Sequence, residues 1–232
     1  MVYKTKKGKF FYLFCAITLY LIVSPFFEGE NFKDVLMSLL FTSILFAGIY
    51  AISTNKKHLI TAIILGGFAF LGIWYGAVVE PSGGFGLALV IVAVICQIAF
   101  IVYVITLILS NILLIKTVTS DTIYGAVSIY LLIGLAFTLF YLLIEFLQPG
   151  SFYINDVQNL NSQIDQFDII YFSFTSLTTL GFGDITPVTS IARITSIIEA
   201  MLGVFYLAIL IARFVGIFIA QTMELSSEKI KE

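Results

Sequence analysis

Apolar residues in this chain gather into long runs, and short polar stretches part them. Six runs reach the length of a bilayer-crossing helix, about 20 residues: residues 10–27, 35–53, 59–79, 85–115, 123–145 and 191–220. A shorter run, 168–178, reads Asp-Ile-Ile-Tyr-Phe-Ser-Phe-Thr-Ser-Leu-Thr and cannot cross. Asp168 suits an N-cap, and the C-terminal end of the helix it would start points at residues 178–184. The pattern predicts an all-α membrane protein: six transmembrane helices plus one re-entrant helix with a loop behind it. Non-helical backbone at membrane depth is tolerated only where protein buries it or water fills the cavity beside it. The short helix and its loop therefore belong inside a protein assembly.

Composition agrees. The 232 residues are 60% hydrophobic and 11% charged, against about 25% charged in soluble domains, and the mean hydropathy is +1.07. The net charge of −2 says little about partners; the lipid bilayer is one, and no nucleic acid is expected. The distribution of charge sets the orientation. Lys4, Lys6, Lys7 and Lys9 precede the first run, Lys56 and Lys57 follow the second, and Lys116 follows the fourth. The alternate loops hold Glu28, Glu30, Asp34 and Glu80 against Lys33 alone. Positive residues mark the cytoplasmic side, so both termini are expected in the cytoplasm of a multi-pass protein of the plasma (cell inner) membrane. Asp156, Asp165 and Asp184 then face outside. The basic start and residues 10–27 resemble a secretory leader, but Ser24-Pro25-Phe26-Phe27 offers no small-residue cleavage site, which implies an uncleaved first helix. Cys15 and Cys96 fall mid-helix and read as buried, inert thiols. His58, the only histidine, reads as a solvated helix flank beside Lys57.

The polar stretch after residue 115 divides the chain into a four-helix module, 1–115, and a second module, 116–232. Ser120 or Asp121 is expected to cap the fifth helix. Pro149-Gly150 marks a turn in the polar loop 148–166.

The sharpest chemistry lies in Thr178-Thr179-Leu180-Gly181-Phe182-Gly183-Asp184. A column of backbone carbonyl oxygens can replace a cation's water shell. Consecutive carbonyls point one way only if some residues take φ > 0, which glycine does without a Cβ penalty, hence Gly181 and Gly183. Thr179, Leu180, Gly181 and Phe182 would supply the column, with the Thr179 hydroxyl as its innermost ring. The stretch resembles the signature of the tetrameric potassium channels, usually Thr-Val-Gly-Tyr-Gly-Asp, the standing example of this chemistry. With its flanking helices the resemblance covers residues 122–216. It implies a pore helix, a selectivity-filter loop and an inner helix, a homotetramer around the pore because one chain brings one filter loop, and potassium as the permeant ion at Thr179, Leu180, Gly181, Phe182 and Gly183. No cofactor is implied. The pore helix would direct the negative end of its dipole at the ion path.

Two positions depart from the usual signature. Phe182 replaces tyrosine and loses a hydroxyl that often braces the filter from behind. Leu180 replaces valine, which changes packing alone. Asp184, Thr175, Thr178 and Glu199 are the candidate filter supports. Glu199 lies at membrane depth, where an ionisable group is costly; its expected partners are Ser173, Thr175 or Ser176. Gly203 follows Gly183 by 20 positions, a spacing similar to that of the family's hinge glycine; packing against the pore helix is the other reading. Arg213 is expected to snorkel near the cytoplasmic end, with Glu224 as a possible ion-pair partner.

In the first module the comparison with voltage-sensing channels fails. Residues 85–115 contain no Asp, Glu, Lys, Arg or His, and a sensor needs several charges, because one charge yields only about 2.3 kcal/mol per 100 mV. Gln97 is the most polar group there, and Gly72 and Gly76 form a pair suited to close helix packing. The dozen residues after Ala220 are too few for a ligand-gating domain. Two other classes compete. A non-selective cation channel of the same fold would be expected to interrupt the carbonyl run, for instance with an acid at 182. An intramembrane enzyme needs paired aspartates, a Ser–His pair or metal ligands, and a transporter needs paired interrupted helices. No enzymatic activity is expected.

Overall fold

A computed structural model describes residues 8–27, 33–53, 56–78, 83–115, 117–154 and 164–229, with side chains except at 27, 33–34, 76–78, 83–85 and 224–229. Seven helices follow in order: α1 (Lys9–Val23), α2 (Lys33–Ile52), α3 (Lys56–Val78), α4 (Gly83–Leu114), α5 (Ser120–Leu147), α6 (Gln166–Leu177) and α7 (Ser190–Lys229). All but α6 are long and apolar enough to cross a membrane. Helix α1 ends before its apolar run does, because Pro25 lacks the N–H that would continue the ladder, and Ser24–Phe27 tightens into a 3₁₀ turn.

The structure is not wholly helical. Strand β1 (Phe152–Ile154) pairs antiparallel with β2 (Ile185–Pro187), Tyr153 facing Thr186. Three residues each are too few to show an alternating pattern, and their partners are far apart in sequence.

Two caps also differ from expectation. Thr119, in extended backbone, caps α5 through a reciprocal box with Thr122. Asp121 instead accepts the Phe10 backbone N–H at 3.1 Å and so ties the start of α1 to the start of α5. Helix α6 begins two residues earlier than its apolar pattern, with Asp165 as N-cap and Asp168 as the returning partner of the box. In both cases the residue three positions on completes the pair of bonds that a lone cap leaves unmade.

Helix α1 lies between α2 and α5, and α4 between α3 and α5. Their shared core contains Leu13, Ile17, Ile44, Ile101, Ile129 and Leu135, all at most 1% exposed. Close approach needs glycine at named points. A Cβ on Gly72 would stand 2.0 Å from that of Ala93, and one on Gly134 would stand 2.7 Å from the Phe174 ring. Lys9 is buried and donates to Ser53 at 2.7 Å, which sets the start of α1 beside the end of α2. His58 is not a solvated flank: its Nδ1 lies 2.8 Å from the Tyr103 hydroxyl on α4. Cys15 is exposed rather than buried, Cys96 is half-buried, and both are free. Lys4, Lys6, Lys7, Glu28, Glu30, Glu80, Lys116 and Asp156 lie outside the described residues, as do the side chains of Lys33, Asp34, Gly76 and Glu224.

Candidate functional site

The site is built on α6, which is wedged between α5 and α7. Its two sides are fixed differently. On one side a buried polar knot joins three helices: Glu199 of α7 is fully buried and accepts from the Tyr141 hydroxyl of α5 at 2.5 Å and from Ser173 of α6 at 2.6 Å. A buried carboxylate left without donors would cost several kcal/mol, so the knot holds all three helices in one register. Ser173 was an expected partner of Glu199. Thr175 bonds its own helix instead, at the Phe172 carbonyl, and Tyr141 was not foreseen. Around the knot, Tyr141, Phe152 and Phe172 meet edge to face with centroids 5.1–5.4 Å apart.

On the other side α6 ends against bare backbone. A Cβ on Gly203 would stand 2.2 Å from the Leu177 carbonyl oxygen, so α7 and the last turn of α6 touch without an intervening side chain. Helix α7 runs through Gly203 without a break. The same carbonyl lies 3.4 Å from the Tyr130 hydroxyl. Tyr130 stacks on Tyr206, whose hydroxyl donates to the Ala126 carbonyl at 2.6 Å.

Beyond the C-cap, Thr178, the chain leaves the helix with positive φ at every second residue: Thr179 (58°), Gly181 (53°) and Gly183 (81°). Peptide carbonyls of a regular strand alternate in direction, and a change of φ sign at alternate residues removes that alternation. The glycines are where the sequence puts them. Thr179 is the addition, a β-branched residue in a region that costs about 1–3 kcal/mol and persists only where the surroundings enforce it. Here its N–H bonds the Ser176 carbonyl at 2.9 Å and its hydroxyl the Thr178 carbonyl at 2.6 Å.

The N–H groups of the loop face back into α6. Leu180 and Gly181 both donate to the Thr175 carbonyl, at 2.9 and 3.2 Å. Thr175 therefore supports the loop by its backbone, and Thr178 does so by a hydroxyl bond to the Phe174 carbonyl at 2.7 Å. The carbonyls behave differently. Among the described residues none of the five carbonyl oxygens from Thr179 to Gly183 accepts a hydrogen bond. Residues 178–183 are exposed in the single chain, Leu180 by 57% and Phe182 by 65%.

The far end of the loop is braced by a residue that sequence reasoning passed over. Tyr171 of α6 lies parallel to the Phe182 ring, centroids 6.3 Å apart, and its hydroxyl donates to Asp184 at 2.6 Å. The loop then enters β2. Its partner β1 is anchored by Glu145, whose carboxylate accepts the N–H groups of Gly150, Ser151 and Phe152. The one available signal was spacing: Tyr171 stands on the face of α6 opposite Ser173 and Leu177, although its ring also packs against the cluster around Tyr141 and Phe152.

Arg213 does more than snorkel. Its Nη2 donates to the Leu113 and Ile115 carbonyls at 2.9 and 3.2 Å, which fastens α7 to the end of α4, while the buried Nε has no partner among the described residues.

Residues 140–220 match the family model described as "Ion channel". Comparisons with curated proteins and with solved structures gave no match. The matched segment contains the end of α5, both strands, α6, the loop 178–184 and most of α7, and it is this part of the chain, similar to the ion-channel family, that supports ion-channel activity for the protein.

Proposed function

We propose that the chain is the subunit of a homotetrameric potassium-selective channel of the plasma membrane, with both termini cytoplasmic and passive conduction through the loop 178–184. One observation carries the reading: a row of five backbone carbonyls that accept no hydrogen bond among the described residues, in a loop whose φ changes sign at alternate positions. Carbonyl oxygens are obligatory acceptors. Left open together, they suit a cation that gives up its water. Lys and Arg are absent from 178–184 and Asp184 stands at its end, so the local field favours cations.

Assembly follows from exposure. The loop is uncovered in one chain, and Ile194, Ile197, Ile198, Met201, Leu202 and Phe205 of α7 are exposed on the same helix that carries Glu199. Closed rotational symmetry lets copies of one chain line a common axis, with four loops forming rings of carbonyls. The two modules then have distinct tasks: 116–232 conducts, and 1–115 surrounds it. The channel reading needs no cofactor and no enzymatic step.

The test is purified protein in planar bilayers with opposed potassium and sodium gradients. The expected reversal potential is that of potassium, with selective current lost on Gly181→Ala. Gly181 has open space for a methyl group but sits at φ 53°, so the substitution acts on backbone conformation, at about 1–2 kcal/mol per residue. A reversal near zero would assign the protein to the non-selective class.

A further inference from the structure

At the end of the bundle that carries the start of α6, the helices line an open-sided cavity of about 230 Å³. Helices α1 to α5 all contribute to its wall, and Gln166, the first residue of α6, lines it too. Phe41, Met37, Leu135 and Leu139 supply an apolar lining, and among the described residues no charged side chain lines it. Beside the void the backbones of α3 and α4 are already in contact at Gly72 and Ala93, so the bundle cannot shrink to fill it.

Gln97 lines this cavity and is only 8% exposed. An amide offers two donors and one acceptor, and among the described residues that of Gln97 makes no hydrogen bond. The amide stays accessible on the cavity side, so its bonds are left to whatever occupies that space. A second polar group converges on the same space: the Tyr20 hydroxyl, 2% exposed, accepts from Gln166 Nε2 at 3.1 Å and retains its own hydrogen to donate. Ser38 and Thr138 also line the cavity, and the rest of the wall is mostly aromatic and aliphatic, so a few polar groups stand in an apolar lining, the composition of a small-molecule site.

We propose that this cavity binds a small neutral molecule with one hydrogen-bonding head and an apolar body. Gln97 and Tyr20 hold the head, and the Phe41 and Leu139 walls take the body. A void of about 150 Å³ takes benzene, so this one accommodates about ten non-hydrogen atoms. Charged ligands are disfavoured, because among the described residues no counter-charge lines the wall to offset their desolvation. The site is independent of conduction, since none of its groups belongs to the loop 178–184.

Benzamide is a probe of the right size, and benzoate is its charged isostere. With the full chain in nanodiscs, saturation-transfer NMR corrected with empty nanodiscs is expected to show saturable benzamide binding and benzoate weaker by about tenfold. Gln97→Leu keeps the volume but removes the amide; it is expected to weaken benzamide by about tenfold while raising the melting temperature, because the unmet group is gone. Val90→Phe, which fills the cavity from α4, is expected to abolish binding. Equal signals for benzamide and benzoate, unchanged binding in Gln97→Leu, or no saturable signal in the wild type would each overturn the proposal. So would a Gln97→Leu chain that fails to fold, since the amide would then be structural.

Discussion

At the scale of single residues, hydroxyl groups do most of the positioning. Tyr171 and Tyr141 each present one hydroxyl to one carboxylate, yet they act on different parts of the site. Tyr171→Phe keeps the ring parallel to Phe182 and deletes the bond to Asp184. A hydrogen bond to a charged group contributes about 1.5–3 kcal/mol, and here the loss falls on the loop end alone. On the proposed reading, the variant should assemble normally but lose selective current with time or on potassium withdrawal; long-lived, unchanged current would show that Asp184 needs no brace. Tyr141→Phe keeps the edge-to-face contacts with Phe152 and Phe172 but leaves Glu199 Oε2 without its donor in a fully buried place. Its cost, about 1–3 kcal/mol, should appear as a lower melting temperature of the purified protein. An unchanged melting temperature would mean that Glu199 is held by Ser173 alone.

At the scale of elements, α6 is located by what it lacks as much as by what it contacts. Gly203 gives it backbone-to-backbone contact with α7, and a Leu177 carbonyl cannot swing aside as a side chain can. Gly203→Ala should therefore displace the last turn of α6 at a cost of about 1–3 kcal/mol, lowering the melting temperature and disturbing the loop that starts at Thr178. A variant with wild-type stability and current would show that α7 moves freely from α6 at this point. The glycine and its packing on the helix before the loop were legible in the sequence, but the Leu177 carbonyl that it meets was not, because helix spacing alone does not say which atoms touch. The same limit explains the other differences. Six apolar runs reported the long helices to within about four residues, since bilayer crossing leaves a strong one-dimensional signal, except at the end of α7, which runs past residue 220 to Lys229 through a polar stretch that carries no such signal. The Gly-Phe-Gly stretch reported the loop, because positive φ selects glycine. Thr179 gave no warning, as its φ is imposed by bonds to Ser176 and Thr178. Tyr171, Tyr141 and the β1–β2 pairing depend on contacts between distant segments, and Asp165 lay outside the apolar pattern by which the start of α6 was judged.

At the scale of the molecule, the question is whether α1–α4 can drive α7. A mechanical link exists: Arg213 on α7 holds the Leu113 and Ile115 carbonyls at the end of α4, and Phe10 of α1 packs on Gly125 of α5. Helix α4 supplies no charge for a voltage-driven motor. Gly83–Leu114 carries no Asp, Glu, Lys, Arg or His, whereas a charge crossing the whole field contributes about 2.3 kcal/mol per 100 mV. Small displacements of helix dipoles and of the Arg213 charge, equivalent to about 0.2 of a charge, would supply about 0.5 kcal/mol per 100 mV, or roughly a twofold change in an opening equilibrium. Open probability in bilayers should accordingly vary by no more than about that factor over 100 mV, and Arg213→Gln, which removes the charge at the cytoplasmic end of α7, should not flatten it much further. Steep opening, equivalent to more than about one charge per subunit, would mean that charge outside α4 moves through the field. A flat response leaves the link to α4 intact with no electrical input, so any stimulus transmitted by Arg213 must enter α1–α4 by binding or by membrane force.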